Sequence, residues 1–83
     1  MINEESLMEI RVGEVGRIVG GKDAGHYVQV LDDKANSGGF LIFIAPTPDM
    51  HGGFDSWVEG HEVLRQFFEE SEWRVEWLSR APQ

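Results

Sequence analysis

The sequence lacks cysteine, has few basic residues and contains no apolar run longer than residues 40–45. Without cysteine the chain has no disulfide framework, no thiolate metal site and no thiol nucleophile. Its longest apolar run is far shorter than the roughly 20 residues of a membrane-spanning helix. The first five residues include two glutamates and no apolar run, which predicts no signal peptide and a cytoplasmic location.

The charge of the chain is strongly negative. Lys and Arg number 7 and Asp and Glu number 15, which gives a formal net charge of −8. Binding to phosphate needs clustered basic side chains, and here they are scattered among acids. An anionic membrane surface is disfavoured for the same reason. We therefore expect neither nucleic acid nor a membrane as a partner, but a basic protein, toward which an acidic protein is steered electrostatically.

Three stretches have the composition of β-strands: residues 15–19, 26–31 and 40–45. The gaps between them contain glycine, aspartate and asparagine, which favour turns. This pattern predicts an antiparallel meander of three strands. Residues 40–44 are apolar at every position, which predicts a central strand that is covered on both faces.

An amphipathic helix is predicted after a connector rich in glycine and proline at residues 46–53. Ser56 and Glu59 have the spacing of a capping box, and Asp55 is an alternative cap. Gly60 either permits close approach to the sheet or separates the first turn from the rest of the helix. The apolar and aromatic side chains that recur at helical spacing are Trp57, His61, Val63, Leu64, Phe67 and Phe68.

Two further elements are predicted toward the ends of the chain. The alternation of Trp73, Val75 and Trp77 with charged residues indicates a half-buried strand. At the other end, Asn3 is a suitable cap for a short helix over residues 4–10. Such a short helix needs a surface to dock on, because isolated short helices are marginal in water.

Together these elements predict one α+β domain over residues 1–83, with residues 79–83 as a loose tail. The predicted order is β-β-β-α-β, with the helix packed across one face of the sheet and a possible short N-terminal helix. A right-handed crossover through the helix would place the last strand parallel to its neighbour. That neighbour is either the first strand or the third.

The sequence carries no motif for catalysis. It has no Gly-x-Ser-x-Gly elbow and no Gly-Lys-Ser/Thr phosphate loop. His61 and Glu62 begin like a zinc-protease helix, but Arg65 stands where the second histidine ligand belongs. We therefore expect no catalytic residue, no cofactor and no metal. The least favoured alternative is a small metal-dependent or hydrolytic enzyme around His51, with Asp49 and Asp55 as further candidate metal ligands.

Acidic residues dominate the second half of the chain. Residues 49–76 contain eight acids and only two arginines. Glu69, Glu70 and Glu72 lie at the C-terminus of the predicted helix, where the helix macrodipole disfavours negative charge. The surface is either an ordinary solvated face or a preformed negative surface for a basic partner. For the second interpretation, the predicted partner-binding residues are Asp32, Asp33, Glu59, Glu62, Glu69 and Glu70.

Four segments, residues 27–33, 38–42, 54–58 and 73–78, are similar to small acidic bacterial proteins of immunity type. Proteins of that type neutralise polymorphic or contact-dependent toxins by binding them directly. The resemblance implies a non-enzymatic inhibitor of a basic partner such as a nuclease toxin. The chain itself is expected to be a monomer or a homodimer. The alternative is a structural or accessory subunit that assembles through a sheet edge.

Overall fold

The computed structural model describes residues 10–78. The elements are β1 (Val15–Gly20), β2 (Tyr27–Asp33), β3 (Gly39–Ala45), β4 (Phe54–Val58), α1 (His61–Glu70) and β5 (Arg74–Trp77). The predicted N-terminal helix, apart from Ile10, and the predicted tail at residues 79–83 lie outside the described residues. Within the described part, no helix is both long enough and apolar enough to span a bilayer.

The five strands form one sheet in the order β4-β3-β2-β1-β5. All neighbouring strands pair antiparallel. The predicted meander of three strands is confirmed as β1, β2 and β3, which are joined by two hairpin connections. The α+β class is also confirmed, because one helix lies against an antiparallel sheet.

The sheet has four strands before the helix, so the prediction of three is wrong. Ser56 and Trp57 belong to β4, which pairs with β3. β4 ends at Val58, and α1 begins at His61. Gly60, between them, has an extended backbone (φ −173°, ψ −176°) and is the N-cap of the helix. The predicted capping box does not form, because the N-cap is Gly60 and no side chain caps the helix.

The direction of the last strand is also wrong in the prediction, since β5 pairs antiparallel with β1. The missed strand explains the error. Successive strands of a meander alternate in direction, so one additional strand reverses the direction in which the chain enters the crossover. β4 and β5 therefore point the same way, but they lie at opposite edges of the sheet.

The close pairing of β1 with β5 depends on a glycine. A Cβ atom on Gly16 would overlap Val75 Cγ1 and lie 2.8 Å from the indole of Trp77. Glycine thus lets the two bulky side chains of β5 lie over β1. The pairing has a register shift between Ile18 and Gly20, where β1 bulges.

The hydrophobic core lies between α1 and one face of the sheet. From the helix, Leu64 and Phe68 are buried, and Trp73 closes the core just after the helix. Every second side chain along the strands points into this core, as expected for strands with one buried face. These sheet residues are Ile18, Val28, Val30, Phe40, Ile42, Ile44 and Val58.

The opposite face of the sheet, which we call the open face, has no described element packed across it. This finding differs from the prediction that residues 40–44 are covered on both sides. Leu41 and Phe43 of β3 point to the open face and are only partly buried, whereas Ile42 points to the core and is fully buried. Trp57 shares the open face through its pairing with Leu41 and is 47% exposed.

Candidate binding surface

The exposed side of α1 is acidic along its length. Glu62 lies in the first turn, and the last turn contains no basic residue. Arg65 is the only arginine or lysine in the helix. At 100° per residue, Glu62 and Glu69 lie within about 20° of each other on the side opposite the buried Leu64. We call these helix acids, Glu62, Glu69 and Glu70, together with Glu59 just before the helix, the acidic helix surface; all four side chains are exposed.

The six predicted binding residues do not form one surface. Four of them make up the acidic helix surface. Asp32 pairs with Phe40, a core residue, so it projects toward the side that carries α1. Asp33 pairs with Gly39 and projects toward the open face. Because neighbouring residues of a strand point in opposite directions, no flat partner can contact both aspartates in the same way.

Both aspartates also have a local structural role. Asp32 Oδ1 accepts a hydrogen bond of 3.0 Å from the backbone N–H of Lys34. Asp33 Oδ1 accepts one of 3.2 Å from the side-chain amide of Asn36, and its carbonyl oxygen accepts from Ser37 Oγ at 3.2 Å. Aspartate commonly stabilises turns in this manner. The hydrogen bonds of the turn between β2 and β3 therefore give a structural reason for aspartate at both positions.

Trp57 is a surface residue that the sequence pattern assigned to the helix core. Its indole N–H donates a hydrogen bond of 2.8 Å to Ser37 Oγ. The ring lies over Gly39, where a Cβ atom would approach the indole carbons to 2.9 Å. The side chain is thus fixed on the surface although it is 47% exposed. Residues 54–58 do not alternate strictly between apolar and polar side chains, so no local pattern in the sequence marks Trp57 as an exposed strand position.

A shallow depression joins Trp57 to the start of α1. We call it the edge depression, because it lies where β4 ends at the edge of the sheet. Its lining residues are Ser37, Gly38, Trp57, Glu59, Gly60, His61, Glu62 and Val63. The His61 ring is held there by edge contact with Phe40, with 4.8 Å between ring centroids. A depression that combines an indole with two carboxylates has the chemistry to hold an arginine or lysine side chain.

The connector around His51 shows a pair of interacting groups. His51 Nδ1 lies 3.2 Å from Asp49 Oδ2, and the backbone N–H of His51 donates to Asp49 Oδ1 at 3.1 Å. Asp55 belongs to β4 and projects toward the open face with its partner Phe43. Among residues 10–78, no three His, Cys, Asp or Glu side chains are grouped so as to hold a metal ion.

Hydrogen bonds to Asp49 lower its pKa from 3.8 to about 2. The largest contribution is the hydroxyl of Thr47, followed by His51, and each favours the charged carboxylate. We expect Thr47→Val to raise the pKa of Asp49 toward 3.8, as measured by NMR titration of the carboxyl carbon. The variant Thr47→Ser keeps the hydroxyl and should leave the pKa low. An unchanged pKa in Thr47→Val would contradict this account.

The lowered pKa also fixes the sign of the pH dependence. A carboxyl with a lower pKa in the folded chain contributes stability that is present above pH 3.8 and lost as the pH falls through about 2. Because Asp49 is exposed, solvent screening keeps this contribution small.

Comparison with known proteins gives no relative for this chain. No family model, no curated protein and no solved structure matches it.

Proposed function

We propose that this chain is a non-enzymatic protein-binding module of the immunity or inhibitor type. In this proposal it neutralises a basic partner, such as a nuclease toxin, by covering the partner's positive cleft with the acidic helix surface. The observation that carries the proposal is Trp57, an exposed aromatic side chain fixed beside Glu59 and Glu62 in the edge depression. Support also comes from the net charge of −8.

The edge depression has the features of an interface anchor. Tryptophan and arginine are the residue types that most often dominate binding energy at protein interfaces. Because Trp57 is already held by a hydrogen bond to Ser37 and by contact with Gly39, its side chain would lose little conformational entropy on binding. A cationic side chain of the partner would contact the indole face and pair with Glu59 or Glu62.

The charge of the last helical turn supports the same proposal. Glu69 and Glu70 lie where the macrodipole disfavours acids by about 0.3–1 kcal/mol each. The last turn of α1 contains no basic residue that could offset this unfavourable charge. A basic partner would remove this unfavourable term on binding. Complementary charge would also accelerate association, since a nuclease cleft must be positive to bind phosphate.

Assembly through a sheet edge is the second candidate function. Phe54 on the edge strand β4 is 55% exposed, which favours a contact there. However, β4 also carries Asp55, and Glu59 follows the strand directly. Charged side chains on an edge discourage strand addition. The geometry therefore favours the acidic helix surface as the functional one.

The test begins with affinity capture from a lysate of the native host, washed at low and at moderate salt. We expect one basic protein that is retained at low salt and released at moderate salt. With that protein in hand, the triple variant Glu62→Gln, Glu69→Gln, Glu70→Gln should slow association about tenfold or more at low salt. Its association rate should also depend less on salt concentration. Trp57→Ala should instead mainly accelerate dissociation.

The control is a triple variant with the same change in charge at other positions, namely Asp23→Asn, Asp55→Asn and Glu76→Gln. We expect it to slow association much less. Equal slowing by both triple variants would mean that total charge, and not the acidic helix surface, steers the partner. Capture of no basic protein would count against the proposal as a whole.

A further inference from the structure

The edge depression presents one open face of a fixed indole ring. The indole N–H of Trp57 donates to Ser37 Oγ at 2.8 Å, and Ser37 Oγ in turn donates to the carbonyl oxygen of Asp33 at 3.2 Å. The ring lies over Gly39, where a Cβ atom would be 2.9 Å from two of the indole carbons. The polar edge of the indole is thus already bonded and one ring face is covered, so the exposed part of Trp57 offers its other π face.

The depression also carries negative charge. Glu59 and Glu62 line it on either side of Gly60, and its described lining residues include no lysine or arginine. Neither glutamate is ion-paired with another residue in the described part of the chain. The N–H groups at the start of α1 add a positive charge equivalent to about half a unit, which two carboxylates outweigh. A cation therefore complements the charge of this depression.

Arginine fits these features better than lysine. Its guanidinium group is planar, so it can stack on an aromatic face, and its five N–H donors can bond to more than one carboxylate. The guanidinium group is also weakly hydrated, whereas the ammonium group of lysine is compact and strongly hydrated. Because the indole and both glutamates are exposed, an ammonium group would keep most of its water there and gain little from the ring.

We propose that the edge depression selects an arginine side chain of the basic partner in preference to a lysine. The guanidinium plane lies on the open face of Trp57, and its N–H groups donate to Glu59 and Glu62. This inference rests on the proposed function, because the arginine belongs to the partner. It goes further by naming the side chain that the partner presents, since attraction by charge alone would accept arginine and lysine equally.

The test uses three peptides that differ only in their central residue: acetyl-Gly-Arg-Gly-amide, its lysine counterpart, and its citrulline counterpart, whose side chain is planar but uncharged. Each peptide is titrated into the isotope-labelled full chain, and the indole N–H signals are followed by NMR. We expect the arginine peptide to bind about threefold more tightly than the lysine peptide, because an exposed cation–π contact corresponds to a factor of about two to five. The citrulline peptide should not bind.

The other tryptophans provide an internal control for these titrations. The indole signal of Trp57 should shift with added arginine peptide. The signal of Trp73 should not, because this side chain is only 4% exposed and its N–H is bonded to the carbonyl oxygen of Lys22.

Two kinds of variant separate stacking from charge. Trp57→Leu keeps an apolar side chain but removes the π face, so it should abolish the preference for arginine, as followed through the backbone N–H signals of Gly38 and Gly60. Glu62→Gln should weaken both charged peptides by a similar factor, because it removes attraction without changing the ring. The matched control is Asp55→Asn, which removes one exposed charge outside the depression and should change neither affinity appreciably. Urea unfolding establishes that each variant is folded.

Three outcomes would overturn the proposal. Equal affinity for the arginine and lysine peptides would exclude selection, and a preference that survives Trp57→Leu would exclude stacking on the indole. No shift of the Trp57 signal up to about 50 mM peptide, where even millimolar affinity is visible, would exclude binding in the depression. The inhibitor function can stand in all three cases, because capture of a basic protein and the triple glutamate variant decide it. Selective binding of the arginine peptide without any captured protein would support the selectivity of the depression and count against the inhibitor function.

Discussion

Replacing Trp73 with alanine should lower the free energy of unfolding by about 3–5 kcal/mol. Trp73 is only 4% exposed and contacts Phe67 and Phe68 edge to face, with ring centroids 5.5 and 4.8 Å away. Its indole N–H also donates a hydrogen bond of 2.5 Å to the carbonyl oxygen of Lys22. This residue therefore connects the end of α1 to the turn between β1 and β2.

A loss of that size is a large fraction of the stability expected for a chain of this length, about 4–12 kcal/mol. We expect Trp73→Ala to unfold at a much lower urea concentration than the unchanged chain, as followed by far-ultraviolet circular dichroism. Trp73→Phe keeps an aromatic ring but leaves the Lys22 carbonyl without its indole donor, so an intermediate loss of about 1–3 kcal/mol is expected.

The matched control is Trp57→Ala, because it removes the same side chain from a position that is 47% exposed. We expect a loss of about 1 kcal/mol, for reduced packing on Gly39 and one exposed hydrogen bond to Ser37. If both tryptophan variants lose equal stability, the assignment of Trp73 to the core and Trp57 to the surface is wrong.

The meander could be predicted because its signals are local. Residues 15–19, 26–31 and 40–45 combine strand-forming side chains with glycine-containing turns, and they correspond to β1, β2 and β3. The alternation around Val75 likewise predicted β5. In these segments the residues that favour an extended backbone are also those that pack on a neighbouring strand, so local preference and tertiary packing agree.

β4 was missed because Trp57 continues the helical spacing of the residues that follow it. Trp57, His61 and Leu64 are spaced by four and three residues, which is the spacing of a helical stripe. In the structure Trp57 lies in β4, whereas His61 and Leu64 lie in α1, so these residues do not share one helix. Only pairing with β3 distinguishes the two possibilities, and pairing depends on residues that are distant in the sequence. The wrong direction of β5 then follows from the missing strand.

The candidate surface was predicted only in part for a similar reason. The exposed helix acids could be identified because helical periodicity alone places Glu62 and Glu69 on the side away from the core. The opposite orientations of Asp32 and Asp33 follow from strand register, which composition does not reveal. Trp57 is exposed because it belongs to β4, the strand that was not predicted. The edge depression, which Trp57 lines, could therefore not be predicted from the sequence.

Replacing Gly21 with alanine should be strongly destabilising, with an expected loss of about 2–5 kcal/mol. Gly21 has φ of +90°, a region that costs a side chain about 1–2 kcal/mol. A Cβ atom there would also overlap the carbonyl oxygen of Glu72 and lie 2.7 Å from that of Ser71. Overpacking of this kind adds about 1–3 kcal/mol.

The overlap is with backbone that has little freedom to move. The backbone N–H of Lys22 donates to the Ser71 carbonyl at 2.9 Å, which holds the two turns together. Glu72 itself has φ of +56°. Moving this backbone away would therefore break the hydrogen bond of Lys22 and displace Trp73, whose indole is bonded to the same turn.

Gly25→Ala separates the two contributions to the Gly21 effect. Gly25 has φ of +96°, but nothing lies within 4 Å of the position that its Cβ would occupy. We expect Gly25→Ala to lose only the backbone term, about 1–2 kcal/mol. In urea unfolding, the difference between the two variants then measures the contact between the β1–β2 turn and the turn after α1. Equal losses would show that this contact does not restrain the chain, and that the close approach at Gly21 relaxes without cost.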